Sequence, residues 1–409
     1  MTRATNLTVK NGTLKLLDIV FLVFCLCPFI LPNPVVTTNI QPYAALFGTL
    51  LIGWEILTQS DRPLKGKMYF FIAAWGTLLV SLLVLLLGSE ITVSSFRAVF
   101  NYYSVAIVPF AFYLILNRIG TLPETFVKIL IAVWFAVSAV QFFIDRRFLT
   151  EIIGGVNNSM SYRGVVGLAS EPSFLGIACF YFLHMVIRFK KHQMLFFTMT
   201  LIMGVVFAQS MMGILFIAVF LLVYLMDSTN TKKGVLIWCV VILAVIAFVI
   251  LFNTVLEKTR LHHLITLLMQ EGVDGLLNDV SAGNRYDSLA NAIADSLDNN
   301  LMPLGYEKRI GSGYGGFLCE LGFFALPILC CISLALSKTF EKTFSQIVYF
   351  VLVTILLFNN TQIGNPLLLS VIAINLYHAS RLSVQSVDAH ASSDLSMTAE
   401  QTKRKMKKV

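Results

Sequence analysis

Long apolar runs alternate with short polar connections through the first 252 residues of the chain, and the pattern then changes. Apolar segments lie at 14–31, 42–57, 68–88, 98–117, 124–144, 172–188, 194–209, 211–226 and 234–252, and again at 315–337, 345–359 and 363–379. Runs such as Met68–Gly88 and Val235–Phe252 approach the roughly 20 apolar residues that carry a helix across a bilayer. The pattern predicts an all-α polytopic membrane protein of about 12 transmembrane helices, with its softest boundary at Ser210. The first run has no small-residue cleavage site after it and is read as a span, not a signal peptide.

Between the ninth and tenth runs stands one long polar insert, Asn253–Tyr314. Structureless connections beyond about 12–15 residues are uncommon, so an insert of this length is expected to have work of its own. Two stretches within it carry a helical period. Asn284–Asp298 puts Tyr286, Leu289, Ile293 and Leu297 on one face, with Ser281 or Asn284 available as a cap, and Leu256–Met269 is similarly amphipathic. Both are expected to lie along the outer leaflet or over the mouth of a cavity. The chain therefore divides into residues 1–252 with nine spans and an external loop near 145–170, the large loop 253–314, three further spans over 315–380, and a basic tail 381–409. No internal repeat is visible.

Composition agrees with this division. The chain is 57% hydrophobic and 13% charged, with mean hydropathy +0.79, values that belong to membrane proteins. The net charge of +8 does not point to nucleic acid, because the cations sit in short connections and the tail. Arg62, Lys65, Lys67, Arg118, Arg188, Lys190, Lys191, Lys232, Lys233, Lys338 and Lys342 fall on alternate connections, which makes that side and both termini cytoplasmic. The large insert holds five Lys/Arg against eight Asp/Glu and belongs outside. The seven cysteines all lie in apolar runs and read as small hydrophobes. The Ser-rich, then basic tail is expected to be disordered and drawn to anionic lipid.

Several groups on the external side could carry chemistry. Ser170-Glu171-Pro172-Ser173 opens the sixth span. A serine cap with proline in the first turn is ordinary helix-start chemistry, and a carboxylate there, near Arg163, could equally accept a proton from a sugar hydroxyl. Gly311–Gly316 precedes the tenth span, either as a hinge or as exposed N–H groups for a phosphate. No Lys-Ser/Thr follows, so it is not a nucleotide loop. Glu320 lies a turn inside the same span, where a carboxylate faces a cavity or a partner. Arg97, Arg163, Arg260, Arg285, Lys308 and Arg309 are each solvated charges taken singly; as a group they suit a diphosphate, which arginine binds with a fork. His262-His263 point about 100° apart on a helix and no third ligand sits at zinc spacing, so no metal and no cofactor is expected.

These features resemble the O-antigen polymerase (Wzy-type) and ligase superfamily of bacterial inner-membrane glycosyltransferases. The resemblance rests on the span count, the late external loop, and three short matches: Gly167-Leu168-Ala169-Ser170-Glu171-Pro172-Ser173-Phe174-Leu175-Gly176, Gln209-Ser210-Met211-Met212-Gly213 and Leu318-Cys319-Glu320-Leu321-Gly322. It implies a GT-C-like fold and metal-independent transfer of glycan from an undecaprenyl diphosphate carrier on the periplasmic face. External-loop arginines bind the diphosphate in such a family, which points here to Arg163, Arg260 and Arg285. With the residue reading above, Glu171, Arg285 and Glu320 are expected to be catalytic, and Arg163, Arg260, Arg97, Lys308, Arg309 and Tyr314 to hold the diphosphate and glycan. Partners would be the lipid-linked substrate, the bilayer and a chain-length regulator. Ligases of the superfamily carry a histidine shortly before the glutamate of the tenth span; Tyr314 and the glycines stand there instead, which favours the polymerase over the ligase. A transporter or flippase is the reading of another class. It is disfavoured because the chain has no repeat between its halves and no midplane charge pair.

Overall fold

The computed structural model describes residues 14–31, 40–58, 68–88, 91–153, 164–228, 260–277, 280–306, 313–358 and 362–381. The described chain is helical, with one isolated bridge pairing Ile30 with Ile153. Its helices are α1 Leu16–Leu26, α2 Tyr43–Leu57, α3 Tyr69–Leu87, α4 Val93–Ile119, α5 Glu124–Phe143, α6 Pro172–Val186, α7 Gln193–Leu201, α8 Met211–Ser228, α9 Arg260–Leu277, α10 Val280–Asp298, α11 Tyr314–Leu321, α12 Leu326–Ser337 and α13 Thr343–Phe358. A last helix, α14, covers 366–381.

Among the described residues, five helical runs are long and apolar enough to cross a membrane: Tyr69–Leu87, Ser95–Ile119, Glu124–Phe143, Met211–Ser228 and Tyr314–Ser337. Shorter apolar helices stand at Leu16–Leu26, Tyr43–Leu57, Pro172–Val186, Gln193–Phe207 and Thr343–Phe358. This is a helical membrane protein. The predicted ninth span, 234–252, lies outside the described residues.

Local chemistry sets the helix ends. Thr92 and Ser95 cap α4 reciprocally, each side chain bonding the other's backbone N–H, and Gly120, with φ +82°, closes it in the left-handed conformation that glycine adopts freely. Pro172 occupies the first turn of α6, where a missing N–H costs nothing. Asn365 accepts the Leu367 N–H at 3.0 Å to start α14. The predicted break near Ser210 is present: α7 runs into a π-helical stretch, Ile202–Phe207, and ends at Gln209 with φ +45° before α8 begins.

The core is organised on α6, which is buried on every side from Leu175 to Val186, as expected of a helix at the centre of a bundle. It meets α8 where Gly176 faces Gly213; a Cβ on either would lie 2.6–2.7 Å from the other's Cα. Small residues at such a crossing let backbones approach in a membrane, where no hydrophobic force draws helices together. In the other half of α6, His184 is buried between Thr339 Oγ1 and Tyr349 Oη, each 2.7 Å from a ring nitrogen, and Asn375 Nδ2 donates to the same threonine oxygen at 2.8 Å.

Charged residues tie one end of the bundle together. Arg118, at the end of α4, bonds both Asp18 at the start of α1 and Glu55 near the end of α2. Arg188 Nη2 donates to the carbonyls of Lys338 and Thr339 at 2.9 Å, Glu124 accepts the Lys190 N–H, and Asp227 accepts the N–H groups of Glu341 and Lys342. Cutting one partner from such a buried cluster leaves charge uncompensated, a cost of about 3–5 kcal/mol. Arg118→Leu should therefore lower the unfolding midpoint of detergent-solubilised protein sharply. Exposed Lys191→Leu should leave it in place.

The tenth span departs from the sequence pattern. A continuous helix 315–337 is predicted, but the run bends at Gly322, with φ +57° and ψ −142°, through a 3₁₀ turn Gly322–Ala325. Tyr314 Oη donates to Leu329 O at 2.9 Å and lies 2.8 Å from Ser333 Oγ. In a straight helix those partners would stand about 22 and 28 Å along the axis from Tyr314, far beyond the reach of a tyrosine. The chain therefore folds back, with α11 and α12 as the two legs of an elbow. A Cβ at residue 322 would overlap Leu301 O, so the elbow requires glycine on both conformational and steric grounds.

Candidate functional site

The elbow leaves a carboxylate near its tip, and the neighbouring helices close on it. Glu320, in the last turn of α11, is 2% exposed, and Tyr102 of α4 donates its hydroxyl to Glu320 Oε2 at 2.5 Å. The ring of Tyr102 packs on Phe317, one turn earlier on the same leg, at 4.4 Å between centroids. A bond from a neutral hydroxyl to a carboxylate is short and strong at low dielectric, so the pair fixes α11 against α4. Asn101 stands beside it against Gly364, at the start of α14.

The segment after α10 forms the wall. Leu304 and Gly305 donate their N–H groups to the carbonyls of Cys319 and Glu320, and Phe323 N–H bonds Leu301 O at 2.7 Å. Tyr306 donates to Ser81 O of α3 at 2.8 Å. Burial pushes its phenol well above the ordinary range, and the negative charge of Glu320 adds to the shift; it stays a donor at any physiological pH.

Helix α10 is the roof. Its packed stripe is Leu289, Ala292 and Ser296: Leu289 Cδ1 sits over Gly315, Cys319 Sγ donates to Ala292 O at 2.9 Å, and Ser296 Oγ lies 3.2 Å from Cys319 Sγ. Of the predicted face, Leu289 lies on this stripe, while Tyr286 and Leu297 are exposed. Small side chains pack here because a glycine and a cysteine on α11 draw the backbones close. The predicted caps are corrected, for the helix runs from Val280 and holds Ser281 and Asn284 inside it. The contacts put α10 parallel to α11, with Leu289 by Gly315 and Ser296 by Cys319. Arg285, four residues before Leu289 on the same stripe, falls in register with the glycine-rich start of α11. Helix α9 is broken at Gly272, with φ +69°.

Glu171 stands at the N-cap of α6, where its carboxylate accepts from Ser173 Oγ at 3.3 Å and remains part-exposed. The cap position is its own, not that of Ser170, which is buried. The segment leading to it, Gly164–Ser170, is buried non-helical backbone. Gln141 of α5 holds it with two bonds, donating to Gly167 O at 2.9 Å and accepting the Gly167 N–H at 2.7 Å, and donates also to Phe148 O at 2.8 Å. Irregular backbone within a membrane bundle occurs where it is buried in protein or lines a cavity.

Of the candidate residues, Glu320 lies at the centre of this arrangement. Arg97 is exposed, one turn before Asn101 on α4. Tyr314, predicted to meet substrate, is instead fully buried and spends its hydroxyl on α12. Arg260 and Arg285 are described in backbone only, and Arg163, Lys308 and Arg309 lie outside the described residues. Tyr102 and Tyr306 were not singled out from sequence; the polar run Asn101-Tyr102-Tyr103-Ser104 inside an apolar helix was the available signal. Among the described residues no three His, Cys, Asp or Glu side chains gather as metal ligands. No protein-family model matches this sequence, and no curated protein and no solved structure matches it either.

Proposed function

We propose that this chain is a bacterial inner-membrane glycosyltransferase that polymerises undecaprenyl-diphosphate-linked oligosaccharide repeats on the periplasmic face. On this reading it has about 12 spans, counting 234–252, a GT-C-like arrangement and cytoplasmic termini. The gathering of cationic connections at one end of the bundle supports that orientation. The observation that carries the functional reading is the folded-back α11. It presents a helix start to the outer side, holds a buried glutamate at its other end, and lies under an amphipathic helix whose packed stripe leads to Arg285. Broken helices in membranes place half-helix ends at substrate sites.

In the reaction an acceptor sugar hydroxyl attacks the anomeric carbon of the donor glycan. The new carbon–oxygen bond forms as the bond to the diphosphate breaks, and the carrier leaves as a diphosphate. Arg285 and the N–H groups at the start of α11 neutralise that leaving group. Glu171, part-exposed at the start of α6, takes the hydroxyl proton. Glu320, bonded to Tyr102, holds α11 in place.

Glu171→Gln should slow polymer formation from purified lipid-linked repeats by about 10²–10⁴-fold, the usual worth of general-base assistance, with donor binding unchanged. Wild-type polymer yield per folded protein would remove Glu171 from the mechanism. A deletion strain separates the related readings. Lipid core bearing one repeat marks a lost polymerase, accumulated lipid-linked polymer a lost ligase, and single units held on the cytoplasmic face a lost flippase.

A further inference from the structure

The elbow carries a second feature, an apolar surface on its outside. Leu297, Met302, Phe323, Phe324 and Leu326 are each between 40% and 60% exposed. They come from two separate parts of the chain, brought together where Phe323 N–H bonds Leu301 O and Gly322 abuts Met302. The rings of Phe323 and Phe324 lie 4.0 Å apart. Soluble surfaces rarely expose such a contiguous apolar patch.

Its occupant follows from what continues it. On α12, Leu326, Cys330 and Leu334 recur at intervals of four and are all exposed; they form the lipid-facing stripe of a helix inside a membrane bundle. The patch is the outward extension of that stripe, reached through Leu326, which belongs to both. The flanking charges on α10 are acidic, Asp295 and Asp298, and no lysine or arginine stands between Leu297 and Leu326 among the described residues. Among the described residues, then, no cation beside the patch draws it to anionic headgroups, and transfer of apolar area into the acyl region is the driving force proposed.

We propose that this patch is a membrane-inserted anchor: it seats the end of α10 and the tip of the elbow in the outer leaflet. The roof over Glu320 is then fastened to lipid at one end, and the site faces the bilayer laterally on that side. The inference concerns lipid contact alone and holds whether or not the chain makes a polysaccharide.

The test uses the full chain in phosphatidylcholine vesicles, with Cys239, Cys330 and Cys331 changed to serine and spin labels placed singly at Leu297→Cys, Met302→Cys and Phe324→Cys. Asn291→Cys, on the exposed face of α10, is the aqueous control. The three patch labels should relax with dissolved oxygen several-fold more than with a water-soluble nickel chelate, and Asn291→Cys should do the reverse. Adding anionic lipid or 0.5 M salt, which shortens the Debye length to about 4 Å, should not change the ratio. Equal exposure of all four positions to the nickel chelate would overturn the anchor. Dipolar broadening at the patch labels, relieved by dilution with unlabelled protein, would overturn it in favour of a second copy. If Met302→Cys or Phe324→Cys fails to fold, Leu297→Cys at the end of α10 decides alone, since its side chain is 60% exposed.

Discussion

Arg285→Ala is expected to abolish chain formation, and Arg285→Lys to lose most of it although the charge is kept. The parallel register of α10 on α11 places this position level with the glycine-rich helix start, where a diphosphate would be held by N–H groups and a guanidinium together. A planar fork meets two phosphate oxygens at once, whereas an ammonium is a point charge. Loss of one preorganised donor to a developing anion is typically worth about 10²–10³-fold in rate. Removing the charge as well adds the cost of an uncompensated leaving group. The measurement is polymer length and yield per folded protein from purified lipid-linked repeats, with thermal stability checked in parallel. Full activity in Arg285→Lys would show that no bidentate contact is made there and move the search to Arg260 and Arg163.

Gly322→Val should deplete folded protein from the membrane altogether. The residue sits at φ +57° and ψ −142°, a region open in practice to glycine alone, where forcing another residue costs about 1–3 kcal/mol. The new side chain would also displace Leu301 O, and with it the bond from Phe323 N–H that joins wall to elbow. Gly305→Ala is the control: its φ is +75°, yet nothing lies within 4 Å of the added carbon. It should cost only the conformational term, about 1 kcal/mol. A monodisperse Gly322→Val protein with wild-type melting behaviour would mean that the two legs do not need the bend.

The membrane character of the chain was legible because apolar runs report transfer free energy directly, residue by residue. Five described helical runs are long and apolar enough to cross a membrane, and five shorter apolar helices stand at further predicted positions. The elbow was not legible. Gly322 looks like any glycine in an apolar run, and its conformation is dictated by Leu301, which only the tertiary fold brings near. The packed stripe on α10 was not legible for a related reason: periodicity marks large apolar residues, whereas the packed face is chosen by the partner's shape, here Gly315 and Cys319. Glu320 stood out because a carboxylate in an apolar run is costly. Its donor Tyr102 did not, since a lone aromatic in a span is ordinary core.

The joint of Arg118 with Asp18 and Glu55 has a consequence for how the protein is made. The two carboxylates leave the ribosome with α1 and α2, but their arginine follows Glu55 by 63 residues. At about 5–20 residues per second, that interval is roughly 3–13 s. Throughout it the α1–α2 pair must keep both acids at the aqueous boundary or hold them protonated. The inner ends of these helices can settle only when α4 arrives, which makes the end of the fourth helix the earliest point in synthesis at which the first half of the bundle closes.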